Sequence, residues 1–283
     1  MSNLQFHTVT IAGATGIAGL HIAEAFLNDG SYKVKVLRRK PEDKNEKAAL
    51  LASKGAEIVY ADYNDKSDLI KAIKGTDVFI SAVRGNGSFY DVQLPLLNAA
   101  KEAGVKRFIP SDFGFDLAAL KDNGIEPHQF IEGKFRFMEE LDKSGLEYTH
   151  ISTGIFTEFL EKSGFDIKNK KATFLADGNT KIYTTSLVDI GRYTVESLKV
   201  PEARNGNIGV YGAILTYNEM LQKFEEATGT KWEVIETDPT LTVMDDFMVY
   251  AANNFVVNSI DNDKFSIVPR PITESINLLL KKI

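Results

Sequence analysis

Gly13, Gly16 and Gly19, in the run GATGIAG, recur at every third position after a short β-branched stretch and open an amphipathic one. In that setting each glycine has a separate duty. Gly13 allows a tight strand-to-helix turn, Gly16 lets the backbone approach a pyrophosphate, and Gly19 lets helix and strand pack closely. The first N–H groups of the helix and its positive dipole end then attract phosphate. The reading is a dinucleotide site. At the end of the second strand, where an NAD-binding unit carries Asp or Glu for the ribose 2′-hydroxyl, this chain has Arg38-Arg39-Lys40. A carboxylate would repel a 2′-phosphate, whereas a guanidinium pairs with it through two charge-assisted bonds. The expected cofactor is therefore NADP(H), with Arg38 as the principal contact and Arg39 beside it.

Reduction also needs a proton donor. No tyrosine in the chain has a lysine four residues after it, so the Tyr-x-x-x-Lys pair of short-chain reductases is missing, and Phe130 stands four residues before Lys134. Lys134 lies in the run FIEGKFRFMEEL, whose aromatic side chains could desolvate it and bring its pKa toward the range useful to a general acid or base. Helix periodicity alone reads Lys134 as an ordinary surface residue. The four histidines, His7, His21, His128 and His150, show no metal-ligand spacing, and no metal site is expected. Asp112-Phe113-Gly114 spells a kinase tripeptide without the companion kinase signatures, and no phosphate-binding Walker sequence or G-x-S-x-G elbow is present.

These residues must be positioned by the elements around them. The first half alternates short β-branched runs with longer amphipathic ones, the pattern of βαβ units. Strands are expected at Thr8 to Ala12, Lys33 to Leu37, Glu57 to Tyr60, Asp77 to Ala82, Lys106 to Ile109 and Tyr148 to Ser152. Helices are expected at Ile17 to Asn28, Glu42 to Ser53, Ser67 to Ile73, Val92 to Ala103 and His128 to Lys143, with a Gly-rich loop at Gly85 to Ser88. Ser111 to Pro127 reads as a long connection, which in a compact domain points to function or mobility. Beyond Gly154 the elements shorten, with helices near Val188 to Leu198, Asn218 to Thr228 and Thr242 to Asn253. The fold class is α/β: a Rossmann-type doubly wound parallel sheet over residues 1–153, and a smaller C-terminal α/β substrate lobe over 154–283, with some interleaving of elements.

Composition narrows the function classes. A chain of 283 residues should bury about three-quarters of its unfolded surface and needs no disulfide or metal to fold. It has no cysteine, which excludes thiolate catalysis, Cys-zinc sites and iron–sulfur clusters and leaves redox chemistry to a bound cofactor. A net charge of −6, from 33 basic and 39 acidic residues, argues against nucleic acid as a partner. The N-terminal stretch is short and polar, and no apolar run approaches the roughly 18 residues of a membrane span, so a cytoplasmic protein without membrane contact is expected. Asn86-Gly87-Ser88 matches a glycosylation sequon but reads as an ordinary loop.

The segments GATGIAG, DVFISAV, KRFIPSDFG, GKFRFMEEL, GLEYTHISTGIF and ADGNTKIYTTSLVDIGRYTVESL, with Arg38 closing the second strand, extend over nearly the whole chain. In these the sequence resembles the isoflavone reductase-like branch of the NmrA-like atypical short-chain dehydrogenases/reductases. The resemblance implies an NADPH-binding Rossmann domain with a small substrate lobe, and reduction of a small aromatic or carbonyl-bearing compound by hydride transfer. It implies that Lys134 is the catalytic lysine, which also holds the nicotinamide ribose. Thr15, Gly16, Ile17, Arg38, Ala82, Val83 and Phe156 are implied around the cofactor, and Phe113, His150 and Phe156 at the substrate end. Three departures stand out: Ile17 replaces an aromatic residue of the plant enzymes, Ser111-Asp112 replaces their serine-glutamate pair, and Phe137-Met138 replaces the arginine pair that follows their lysine. The competing expectation is an NmrA-type redox sensor, which binds the dinucleotide without turnover and signals to a protein partner. Both a monomer and a homodimer fit the sequence.

Overall fold

The computed structural model describes residues 6–40, 44–84, 88–235 and 243–282. Along the chain the first elements alternate: β1 (Thr8–Ala12), α1 (Ile17–Asp29), β2 (Lys33–Arg39), α2 (Glu46–Ser53), β3 (Glu57–Ala61), α3 (Lys66–Ile73), β4 (Val78–Ser81), α4 (Phe89–Glu102) and β5 (Arg107–Ile109). Then come α5 (Leu117–Asp122), α6 (Gln129–Ser144), β6 (Glu147–Ser152), β7 (Ile155–Phe156), β8 (Phe165–Asp166), β9 (Lys171–Thr173), β10 (Lys181–Thr185) and α7 (Leu187–Glu196). The remaining elements are β11 (Gly206–Gly209), β12 (Ala213–Thr216), α8 (Tyr217–Thr228), β13 (Glu233–Ile235), α9 (Val243–Asn253) and α10 (Ile272–Leu280).

Two compact units interleave along the chain. The first comprises residues 1–113, 131–151 and 190–208, and the second 114–130, 152–189 and 209–283. In the first, strands run in the order β11-β6-β5-β4-β1-β2-β3. The pairs from β3 through β2, β1, β4 and β5 to β6 are parallel, with Ile11 opposite both Val36 and Ile80. This is the doubly wound order, whose direction reverses between β1 and β4 and leaves a crevice at their carboxyl ends. The sequence reason is plain in β1 and β4, where nearly every residue is buried because helices cover both faces of a parallel sheet. Phe79 of β4 stacks on Phe108 of β5 at 5.3 Å, and Phe108 meets Phe137 of α6 at 5.9 Å, which ties α6 into the core.

The second unit holds two small sheets. In one, β10 pairs antiparallel with β12 and parallel with β7; in the other, β9 pairs parallel with β13 and antiparallel with β8. Its core gathers Leu160, Phe165, Tyr217, Met220, Phe224, Trp232 and Ile276. A capping box between Thr216 and Glu219 starts α8. Among the described residues, no helix is long and apolar enough to cross a membrane.

The connection expected at Ser111 to Pro127 contains a helix, α5. Asp116 caps it by accepting the N–H of Ala119 at 2.9 Å, and Leu117 and Leu120 bury one face. A six-residue helix is too short for its periodicity to stand out from a loop. The two- and three-residue strands of the second unit escape for the same reason. The helix expected from Glu42 begins at Glu46, where Asn45 accepts the N–H of Ala48, and residues 41–43 lie outside the described ones. So do residues 85–87, hence most of the Gly-rich loop and the sequon, and Thr242 at the expected start of α9.

Candidate functional site

The turn between β1 and α1 closes on backbone atoms alone. Gly13 sits at φ +81°, and its carbonyl accepts the N–H of Gly16 at 2.8 Å. A Cβ on Gly13 would come within 2.6 Å of the carbonyl oxygen of Ala82, and one on Gly19 within 2.2 Å of the carbonyl oxygen of Gly13. Gly16 caps α1 with no side-chain hydrogen bond, and the first turn of the helix carries no acidic residue. The leading N–H groups of α1 therefore face outward with neither a cap nor a competing carboxylate, as a phosphate cradle requires. Thr15 is half-buried in the turn, and Ile17, the first residue of α1, is half-exposed.

Beside this turn, Ala82 and Val83 continue from β4; the Ala82 N–H donates to the Ala12 carbonyl at 2.8 Å. Gln93, fully buried on α4, donates to the Val83 carbonyl at 3.1 Å and so fixes the chain leaving the sheet. On the other side of β1, Arg38 and Arg39 end β2. Arg38 lies opposite Tyr60 of β3, with its Nη1 3.3 Å from the phenol oxygen and its guanidinium over the ring at 5.6 Å. Arg39 is exposed. Lys40, the third basic residue of the run, is held by Asp68 at 2.8 Å, so the positive charge at this strand end falls mainly to the two arginines.

Lys134 occupies the apolar stripe of α6, in line with buried Ile131, Phe137, Met138 and Leu141. Its neighbour Gly133 lets α6 approach α4 closely, since a Cβ there would meet Phe89 Cβ and Tyr90 N at 3.3 Å. This places the Lys134 ammonium 5.4 Å from the centre of the Phe89 ring. Removal from water lowers the Lys134 pKa from its ordinary value, and the negative charge of Asp112 opposes that shift. Asp112 follows β5 and is buried, and one of its carboxylate oxygens accepts a hydrogen bond from Nδ1 of His150 in β6. The ring of His150 lies against Tyr148 at 5.2 Å.

The first unit thus contains Gly13, Thr15, Gly16, Ile17, Gly19, Arg38, Arg39, Ala82, Val83, Phe113, Lys134 and His150, distributed along the carboxyl ends of its parallel strands and on α6. Phe113 is half-buried after Asp112. Phe156 belongs to the second unit, in β7, where its ring faces Phe159 at 6.1 Å. Sequence reasoning missed Tyr60, Gln93 and Phe89. Tyr60 was accessible in principle from the register of two strands, whereas the other two depend on how α4 docks. It also read Lys134 as a surface residue on periodicity, although its i, i+3, i+7 relation to Ile131, Phe137 and Met138, and Leu141 marks the buried face. Among the described residues, no group of His, Asp and Glu is arranged to hold a metal.

The sequence model of the NmrA-like family matches residues 5–264. A bifunctional pinoresinol-lariciresinol reductase of Thuja plicata is 31% identical over 236 residues, covering 78% of this chain and 75% of its own. A phenylcoumaran benzylic ether reductase of Pinus taeda is 32% identical over 232 residues, 77% of this chain and 74% of its own. A leucoanthocyanidin reductase of Vitis vinifera, solved as its binary complex with NADPH, shares the fold with a TM-score of 0.82 and 23% identity, over 97% of this chain and 99% of that one. A family match over most of the chain, joined to the glycine turn and the parallel strand order, has one conclusion: the chain belongs to the NmrA-like family.

Proposed function

We propose that the protein is an NADPH-dependent reductase of a small aromatic or carbonyl-bearing compound. The observation that carries this reading is Lys134, a cation on the apolar stripe of α6 that shares its unit with an uncapped glycine turn and an arginine-ended β2. The relatives named as reductases of pinoresinol, lariciresinol and phenylcoumaran ethers support the phenolic substrate class.

The residues fit the nucleotide. The turn from Gly13 to Gly16 is a cradle that a side chain would fill, and its N–H groups are the natural holders of the pyrophosphate. Arg38 is the partner for a 2′-phosphate, its plane steadied by Tyr60. NADPH supplies the hydride when bound. Lys134 supplies the compensating proton from Nζ to the atom that gains negative charge. Its desolvation makes the ammonium a stronger acid than a lysine in water, and the negative charge of Asp112 opposes part of that shift.

A panel of aldehydes, enones and phenolic benzylic ethers, followed by loss of NADPH absorbance, tests the proposal. Wild type is expected to turn over at least one class, and Lys134→Ala to lose about a hundredfold or more in kcat, the usual contribution of a placed general acid. Undiminished turnover in the variant would remove Lys134 from the mechanism. Tight NADPH binding with no turnover of any compound would favour a nucleotide sensor acting on a protein partner.

A further inference from the structure

A single polar side chain lies within the buried face of α4. That face consists of Leu96, Leu97, Ala99 and Ala100, and with them Gln93, which has no exposed surface. Nε2 of Gln93 donates to the Val83 carbonyl at 3.1 Å, while Oε1 is buried with no hydrogen-bond partner among the described residues. The Val83 bond sets the orientation of the amide, because turning it over would bring two oxygens together. An unpaired buried acceptor costs stability, and a methionine of similar length would fill the space without that cost. What the amide achieves in return is a hold on Val83. Ala82 to Arg84 belong to neither strand nor helix. The Ala82 N–H ties them to β1 through the Ala12 carbonyl at 2.8 Å, and one residue further on the Gln93 amide ties them to α4.

The segment held in this way borders the crevice between β1 and β4. A Cβ on Gly13 would meet the Ala82 carbonyl oxygen at 2.6 Å and the Val83 nitrogen at 2.9 Å, so the Ala82–Val83 peptide lies directly against the glycine turn. A ligand entering at the point where the strand order reverses passes between the two. We propose that Gln93 is a positioning residue for the nucleotide: by holding the Val83 carbonyl it keeps the Ala82–Val83 wall of the crevice in place before the nucleotide enters. This rests on the nucleotide reading of the glycine turn. A wall fixed in advance does not have to be ordered on binding, so its ordering cost falls on folding instead. Loss of the hold therefore weakens any dinucleotide that fills the crevice, with or without a 2′-phosphate. That sets Gln93 apart from Arg38, whose loss is expected to matter for the 2′-phosphate alone.

Three readouts test this on the full-length protein. The first is hydrogen exchange without nucleotide. Gln93→Met is expected to exchange faster than wild type over residues 82–84, with β1 and β5 unchanged; unaltered exchange over 82–84 overturns the proposal. The second is calorimetric titration with NADP+ and NAD+. Gln93→Met is expected to weaken both by the same factor, about three- to tenfold, the worth of one neutral hydrogen bond. A loss confined to NADP+, or wild-type affinity with only a lowered Tm, would overturn the proposal. The third is rescue by Gln93→Glu, whose carboxyl has the same length and donates only while protonated, the form that burial favours. Its NADP+ affinity, relative to wild type at the same pH, should recover as pH falls from about 8 to about 5. An affinity that stays low throughout would count against the Val83 bond. Wild type that binds neither dinucleotide overturns the reading of the glycine turn and this inference with it. Wild type that binds both no more tightly than Gln93→Met does overturns the role of Gln93 alone.

Discussion

Gly19 has no room for a side chain, because a Cβ there would lie 2.2 Å from a backbone oxygen that cannot move without opening the Gly13 turn. Gly19→Ala is therefore expected to cost about 1–3 kcal/mol, the usual range for overpacking, and to weaken nucleotide binding as the turn shifts. Urea denaturation and fluorescence titration with NADPH measure the two effects, and an unchanged stability would show that α1 can move away. Arg38 makes a different prediction. A charged hydrogen bond contributes about 1.5–3 kcal/mol, so Arg38→Ala should weaken NADPH binding by tens of fold and leave NADH binding nearly unchanged, as read by calorimetric titration of both. Equal losses would end the assignment of Arg38 to a 2′-phosphate. Lys40→Ala should have a much smaller effect on the same titration, because Asp68 already holds that ammonium.

At the scale of elements, the site depends on strands arriving in register, and Asp77 holds one such junction. Its carboxylate accepts the N–H groups of His7 and Thr8 at 2.8 and 3.0 Å, anchoring the start of β1, and pairs with Lys106 at 2.7 Å before β5. Burial pushes the Asp77 pKa up, but the Lys106 pair and the two N–H donors outweigh it and leave the carboxyl below its ordinary value of 3.8. A carboxyl that binds its proton less readily when folded stabilises the protein above the unfolded pKa and loses that contribution as pH falls through the folded one. Asp77→Asn should thus be less stable than wild type by about 1–3 kcal/mol at neutral pH. The gap should close progressively below about pH 4. Denaturation curves of both proteins at pH 7 and pH 3 check this, and a gap independent of pH would mean that the charge is irrelevant. The same scale explains α5 and Lys134. Asp116 ahead of Leu117 and Leu120 is a readable cap, yet six residues cannot establish a period. In α6, by contrast, 16 residues do, and a lysine on their buried stripe was open to detection.

For the molecule as a whole, a ligand that binds only the native state stabilises it by mass action. NADPH at about a hundred times its Kd should add about 2.7 kcal/mol and raise Tm, and NADH at the same concentration should add less. Hydrogen exchange should locate the protection in the first unit, at the β1–α1 turn, the end of β2 and the residues after β4; protection confined to the second unit would move the nucleotide site elsewhere. The sequence by itself determined the parallel sheet, the glycine turn and the arginine end of β2. Each of these is written in neighbouring residues, through a period, a turn geometry or a charge at a strand end. Only the tertiary structure decided that Asp112 meets His150 across 38 residues, that Tyr60 lies under Arg38, that Gln93 holds Val83, and that Asp68 occupies Lys40. Those contacts are set by which strands neighbour one another and how helices dock on them. A strand's own residues record its type and its buried faces but not the identity of the side chains that the fold brings against it.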